Sequence, residues 1–134
     1  MKYRDFIGAV QNRARVGTEE QAVSAIRATL ETLGERIVTG EVEDLAAQLP
    51  REIGYYLRQH ADSNERFDLD EFYERVTRRE SMAVDLPDAV HHARVVMSVL
   101  EEATTPGEMA DVRAQLPNEF SDLFDFEEIE QVAG

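Results

Sequence analysis

Three histidines and a surplus of carboxylates are the groups here that could do acid–base or metal chemistry, so their spacing decides what is open. His91 and His92 are adjacent. Neighbours on a helix point about 100° apart, so they cannot comfortably hold one ion, as histidines one turn apart do. Sixty-seven residues earlier stand Ser24 and Ala25, so a surface or helix-packing role is expected for both histidines. His60 falls near a predicted helix end, where an imidazolium complements the dipole. The run Asp62-Ser63-Asn64-Glu65-Arg66-Phe67-Asp68 has the acidity of an EF-hand loop. That loop needs oxygen ligands at alternate positions, glycine sixth and a bidentate glutamate twelfth. Arg66, Phe67 and Tyr73 occupy the fifth, sixth and twelfth positions, which rules it out.

Paired carboxylates can do general acid–base work when burial splits their pKa values. Glu31 with Glu35, and Glu127 with Glu128, are among the pairs available, but nothing in the sequence marks one as buried. Asp122, Asp125, Glu127, Glu128 and Glu130 read as a solvated acidic end. The chain has no cysteine, which excludes thiol catalysis, thiolate zinc sites and disulfides. Gly40 and Gly107 stand alone, so neither a phosphate-cradling loop nor a nucleophile elbow is present. No catalytic residue, cofactor or metal ligand is expected, and an enzyme of unknown class is the second alternative.

Nucleic acid is the first alternative. Arg75, Arg78 and Arg79 form the best basic cluster, echoed by Arg13 and Arg15. A short helix before Pro50 gives a helix-turn-helix outline, but its expected exposed opening is Glu41, Glu43 and Asp44, which would repel phosphates. Nucleic acid is therefore not the expected partner. The residues that could instead mark a protein-binding face are Tyr55, Tyr56, Phe120 and Phe124, unless they seal the core.

The elements that must position these groups all read as helical. Phe6, Ile7, Val10 and Ala14 recur with the period of one helix face. Thr18 and Gln21 form a capping box ahead of the long stripe Ala22, Val23, Ile26, Leu30, Leu33 and Ile37. Thr39-Gly40-Glu41 restarts a short helix, and Pro50 opens another carrying Ile53, Tyr56 and Leu57. Then the plan recurs. Asp68 can cap a helix with Leu69, Phe72, Tyr73 and Val76; Asp85 and Pro87 start one with Val90, Ala93, Met97 and Leu100. Thr105-Pro106-Gly107-Glu108 is a strong start, and Pro117 opens the last helix, with Phe120, Leu123 and Phe124. Phe126, Ile129 and Val132 in the tail could add a short closing helix or fray. No stretch alternates with period two, so no sheet is predicted.

The segment Gly40-Glu41-Val42-Glu43-Asp44-Leu45-Ala46-Ala47-Gln48-Leu49-Pro50 returns as Gly107-Glu108-Met109-Ala110-Asp111-Val112-Arg113-Ala114-Gln115-Leu116-Pro117. An internal repeat settles architecture before any single motif does. The expected fold is all-α: a single helical domain, 1–134, of two tandem four-helix repeats related by a pseudo-two-fold axis. Repeat one covers about 3–59, repeat two about 68–125, and a tail 126–134. With the aromatic-x-x-x-Val pattern of Phe6 to Val10 and Phe72 to Val76, and the long helices ending near Leu33 and Leu100, the chain resembles the family called domain of unknown function 2267. The resemblance covers nearly the whole chain and implies an all-helical fold. It brings no assigned activity and no site residue.

Composition bounds the rest. At 43% hydrophobic residues the chain can form a packed core. Twenty-eight acidic residues face fourteen basic ones, a net charge of −14, and Lys2 is the sole lysine. Acids spread along the chain favour adaptation to a salt-rich cytoplasm over a basic partner, and this character resembles that of salt-loving archaeal proteins. The amino terminus lacks a signal peptide's apolar core and no apolar run could span a bilayer, so a cytoplasmic protein without membrane contact is expected. The function expected is that of a non-enzymatic, acidic protein-interaction or stress-associated accessory module, with its protein partner and oligomeric state unknown.

Overall fold

Every helix but α3 (Thr39–Ala47) begins where the local sequence supplies an acceptor or a proline for its first turn. In the computed structural model, which describes residues 1–127 and 129, α1 (Tyr3–Ala14) starts as Asp5 Oδ2 accepts from Lys2 N at 3.1 Å. It stops at Arg15, which enters the left-handed region (φ 57°) and donates its N–H to Asn12 O. α2 (Glu19–Arg36) follows the capping box: Thr18 Oγ1 accepts from Gln21 N at 3.2 Å, and Gln21 Oε1 accepts from Thr18 N at 3.0 Å. α3 (Thr39–Ala47) and α4 (Arg51–Arg58) are parted at Pro50, whose missing N–H ends one helix and suits the start of the next. Asp68 caps α5 (Leu69–Arg79), Asp85 caps α6 (Leu86–Ala103) and Thr105 caps α7 (Pro106–Ala114), each accepting the amide three residues on. Among the described residues there is no strand, and no helix is long and apolar enough to cross a membrane.

α2 and α6, eighteen residues each, form the middle of the molecule. α1 lies against both of them, and so does α5. Ile26, Leu30 and Leu33 of α2 and Ala93, Met97 and Leu100 of α6 are fully buried, as are Phe6 of α1 and Phe72 of α5. Full burial of a large apolar side chain contributes about 1.5–3 kcal/mol, so these central stripes dominate the stability. α4 rests on α2 and α3, and α3 meets α7.

The last helix departs from expectation in type. Asn118–Phe124 is a 3-10 helix, not an α-helix. Its groups are drawn to α5 and α6 instead: Asp122 accepts from Tyr73 at 2.7 Å and from Arg94, whose Nε also donates to the Asp122 carbonyl at 3.0 Å. The seat beneath it also differs from that beneath α4. Gly34 lets α4 sit directly on α2, for a Cβ there would lie 2.0 Å from Leu57 O. Sixty-seven residues later stands Glu101, hydrogen-bonded to Arg113 at 2.8 Å, and the Arg113 guanidinium lies 4.8 Å over the Phe124 ring. A groove of about 550 Å³ remains beside the 3-10 helix, lined by Arg113, Leu116, Pro117, Phe120 and Phe124 among others. Beyond it Phe126 packs partly on the core and Ile129 is buried, whereas Glu128, Glu130 and Val132 lie outside the described residues.

Candidate functional site

The recurring segment occupies α3 and α7, and these two short helices touch each other. Their ends are tied by glutamines from the last turn of the opposite helix. Gln48 Oε1 accepts from Thr105 N at 2.9 Å, and Gln115 Oε1 accepts from Val38 N at 3.0 Å. Gln48 Nε2 also donates to Glu108 Oε1 at 3.2 Å. The helices therefore lie head against tail. Between these ties sit Glu41 and Glu108, which occupy the same position in the two segments.

Acids in a first turn are favoured by the helix dipole, so the local sequence accounts for a glutamate at each position. It does not account for their burial. Glu41 is 8% exposed and Glu108 9%, while Asp111, one turn further along α7, is exposed. Glu41 Oε1 and Glu108 Oε2 are buried without a hydrogen-bond partner. One oxygen from each of Glu41, Glu108 and Asp111 lies within 4.8 Å of the other two. Burial, then the facing Glu108, then the charges of Asp111 and Asp44 push the Glu41 carboxyl up to about 7. Two facing buried carboxylates repel, and each unsatisfied oxygen carries a desolvation cost. Such an arrangement is stable when something positive lies between the oxygens. That can be a shared proton or a bound cation, and the donor set is oxygen only.

The other candidates are engaged elsewhere. Glu31 Oε1 lies 3.2 Å from His60 Nε2. Glu35 is buried, which alone would raise its pKa, but bonds from Arg79 (2.9 and 3.0 Å) and Arg75 (2.7 Å) hold it at about 2. The basic cluster is likewise taken up by acids: Arg75 also meets Glu65 and Glu71, and Arg78 meets Glu71 and Glu74. His92 Nδ1 sits 3.0 Å from both oxygens of buried Glu80. Its neighbour His91 is half-buried and shifted down by burial and by His92. Glu41, expected on an exposed helix opening with Glu43 and Asp44, is instead covered by α7; Glu43 and Asp44 are exposed, and Glu43 pairs with Arg58 at 3.1 Å.

The helical frame and the paired segments are matched by a family model described as an uncharacterized conserved protein (DUF2267), over residues 3–123. The chain belongs to that family. A search of curated proteins finds no match. In this DUF2267 protein the four aromatics proposed for partner contact do not behave alike. Phe120 is 1% exposed and packs edge-on to Phe72 at 6.0 Å, so it belongs to the core. Phe124 is half-buried beneath Arg113 in the groove. On α4, Tyr55 is 59% exposed and meets the half-buried Tyr56 edge-on at 6.0 Å. Reading the sequence for acid pairs within one helix missed Glu41 and Glu108. The signal was present in the repeat: an acid at one position in both segments meets its equivalent when the segments pack together.

Proposed function

We propose that this DUF2267 protein is a non-enzymatic accessory module that binds a small, positively charged ligand at the α3–α7 joint. The observation that carries this reading is the pair of buried glutamates with unpartnered oxygens, contributed by the two copies of one segment. Those oxygens each expose less than 1 Å², so what binds there without opening the joint is a single ion or one ammonium group of a slender polyamine. That supports binding over the alternative of acid–base catalysis, which needs a substrate atom at the carboxyl. The four-helix unit is further proposed to be duplicated about a pseudo-two-fold axis. The reciprocal glutamine ties support it, as does a second reciprocal pair: Arg79 of α5 bonds Glu35 of α2, and Arg13 of α1 bonds Glu102 of α6.

A protein partner is a second reading, favoured by the groove beside the 3-10 helix and by exposed Tyr55. The acidic, salt-adapted surface and a cytoplasmic setting complete the proposal. The joint is tested by thermal unfolding after chelator dialysis, with divalent salts, potassium chloride and spermidine each added in turn. A ligand at a hundred times its Kd adds about 2.7 kcal/mol. For a chain of this size that raises Tm by about 5–10 °C. The rise should appear in the wild type and vanish in a Glu41→Gln, Glu108→Gln double variant. No cation distinguishing the two proteins would sink the reading.

A further inference from the structure

We propose that Glu41, Glu108 and Asp111 form a binding site for one hard divalent cation, clamped between α3 and α7. This inference rests on the reading of the joint as a cationic-ligand site and names the ligand class. Three observations converge on it. One oxygen from each carboxylate lies within 4.8 Å of the other two, a spread that puts all three within about 2.8 Å of a common point, a small side-chain shift from the roughly 2.3–2.6 Å of calcium–oxygen bonds. Two of the side chains are more than nine-tenths buried, and each leaves an oxygen there without a donor. The third, Asp111, is exposed, which gives the ion an entrance and leaves coordination positions for water.

Charge and softness select the ion. Three ionised carboxylates sum to −3, so a divalent ion leaves the joint at −1 and a monovalent ion leaves it at −2. With Asp44 nearby adding to the negative field, the higher charge is favoured. The site has neither imidazole nor thiolate, so it suits Mg²⁺, Ca²⁺ or Mn²⁺ rather than zinc or copper. Ca²⁺ and Mn²⁺ tolerate an irregular oxygen set with water; Mg²⁺ demands near-ideal octahedral geometry. Gln48 acts as a positioning residue, since its amide fixes Glu108 Oε1 while its own oxygen ties down the start of α7. An ion so placed joins Glu41 on α3 to Glu108 and Asp111 on α7.

Isothermal titration calorimetry tests this on the full chain, stripped with chelator and titrated with CaCl₂, MnCl₂ or MgCl₂ at pH 8 in 1 M KCl. The salt suppresses diffuse binding to the acidic surface. Expected is one saturable site per chain, with Kd at least tenfold weaker in Asp111→Asn. Asp111 is exposed, so this variant should fold, which circular dichroism checks; Asp70→Asn is the surface control and should bind as the wild type does. Binding at many weak sites, equal in the two variants, would mean an acidic surface only and would overturn the proposal. No divalent binding, together with a joint-dependent Tm rise from potassium or spermidine, would overturn the divalent assignment and leave the cationic-ligand reading standing. If no cation acts at the joint, both fall.

Discussion

Glu41 carries the largest consequence for any single residue, because burial against Glu108 raises its affinity for a proton. Its pKa is raised from 4.5 to about 7, first by burial and then by Glu108. An acid shifted upward binds its proton more tightly in the folded protein than in the unfolded one. Its stabilisation is intact below about 4.5 and is lost as pH climbs through about 7. In chelator, the wild-type Tm should therefore fall relative to Glu41→Gln between pH 5 and pH 8, since the amide cannot ionise. Parallel Tm curves would show that the carboxyl is not held protonated. Glu35 runs the other way: held at about 2 by Arg79 and Arg75 against its own burial, it stabilises above 4.5 and loses that contribution as pH drops toward 2. One buried glutamate was recruited to arginines and another to a second glutamate, and their titrations oppose each other.

At the level of elements, close approach and reciprocal capping decide which helices can pair. Gly34→Ala places a methyl 2.0 Å from Leu57 O, so α4 must lift from α2. Overpacking of this kind costs about 1–3 kcal/mol, read as a lower urea midpoint with little change in m-value. Gly40→Ala has no atom within 4 Å of the added carbon and serves as the mild comparison. The glutamine ties predict a ranking. Gln115→Ala removes one cap bond to Val38 N, worth about 1 kcal/mol. Gln48→Ala removes the matching bond to Thr105 N and also the donor to buried Glu108 Oε1, so it should cost more. Equal midpoints for the two variants would mean that the Glu108 contact is not maintained in solution.

For the whole molecule, net charge and interlocked packing set the behaviour. A charge of −14 makes the folded state repel itself, and added salt screens that repulsion. Thermal unfolding followed by circular dichroism should shift upward as potassium chloride goes from dilute to molar, and an unchanged midpoint would remove salt adaptation as the reason for the acidic surface. Arg75, Arg78 and Arg79 each face neighbouring acids, so their charge is paired locally. With α1 and α5 each resting on both α2 and α6, the first and second halves share one core.

The amino-acid sequence by itself determined what depends on near neighbours: helical type, the start sites at Thr18, Asp68, Asp85 and Thr105, and the stripes on α2 and α6. Capping and periodicity act within a few residues, so these features are legible without knowing what packs where. Tertiary structure alone decided the burial of Glu41, whose covering residues lie some sixty-seven positions away, and the pairing of Glu35 with Arg79 across 44 residues. It also decided that the last helix is a 3-10 helix beside a groove, with Arg113, bonded to Glu101, in the groove wall. A side chain's local sequence sets its helix and its face; its charge state and its free oxygens are set by whatever the chain returns to place against it.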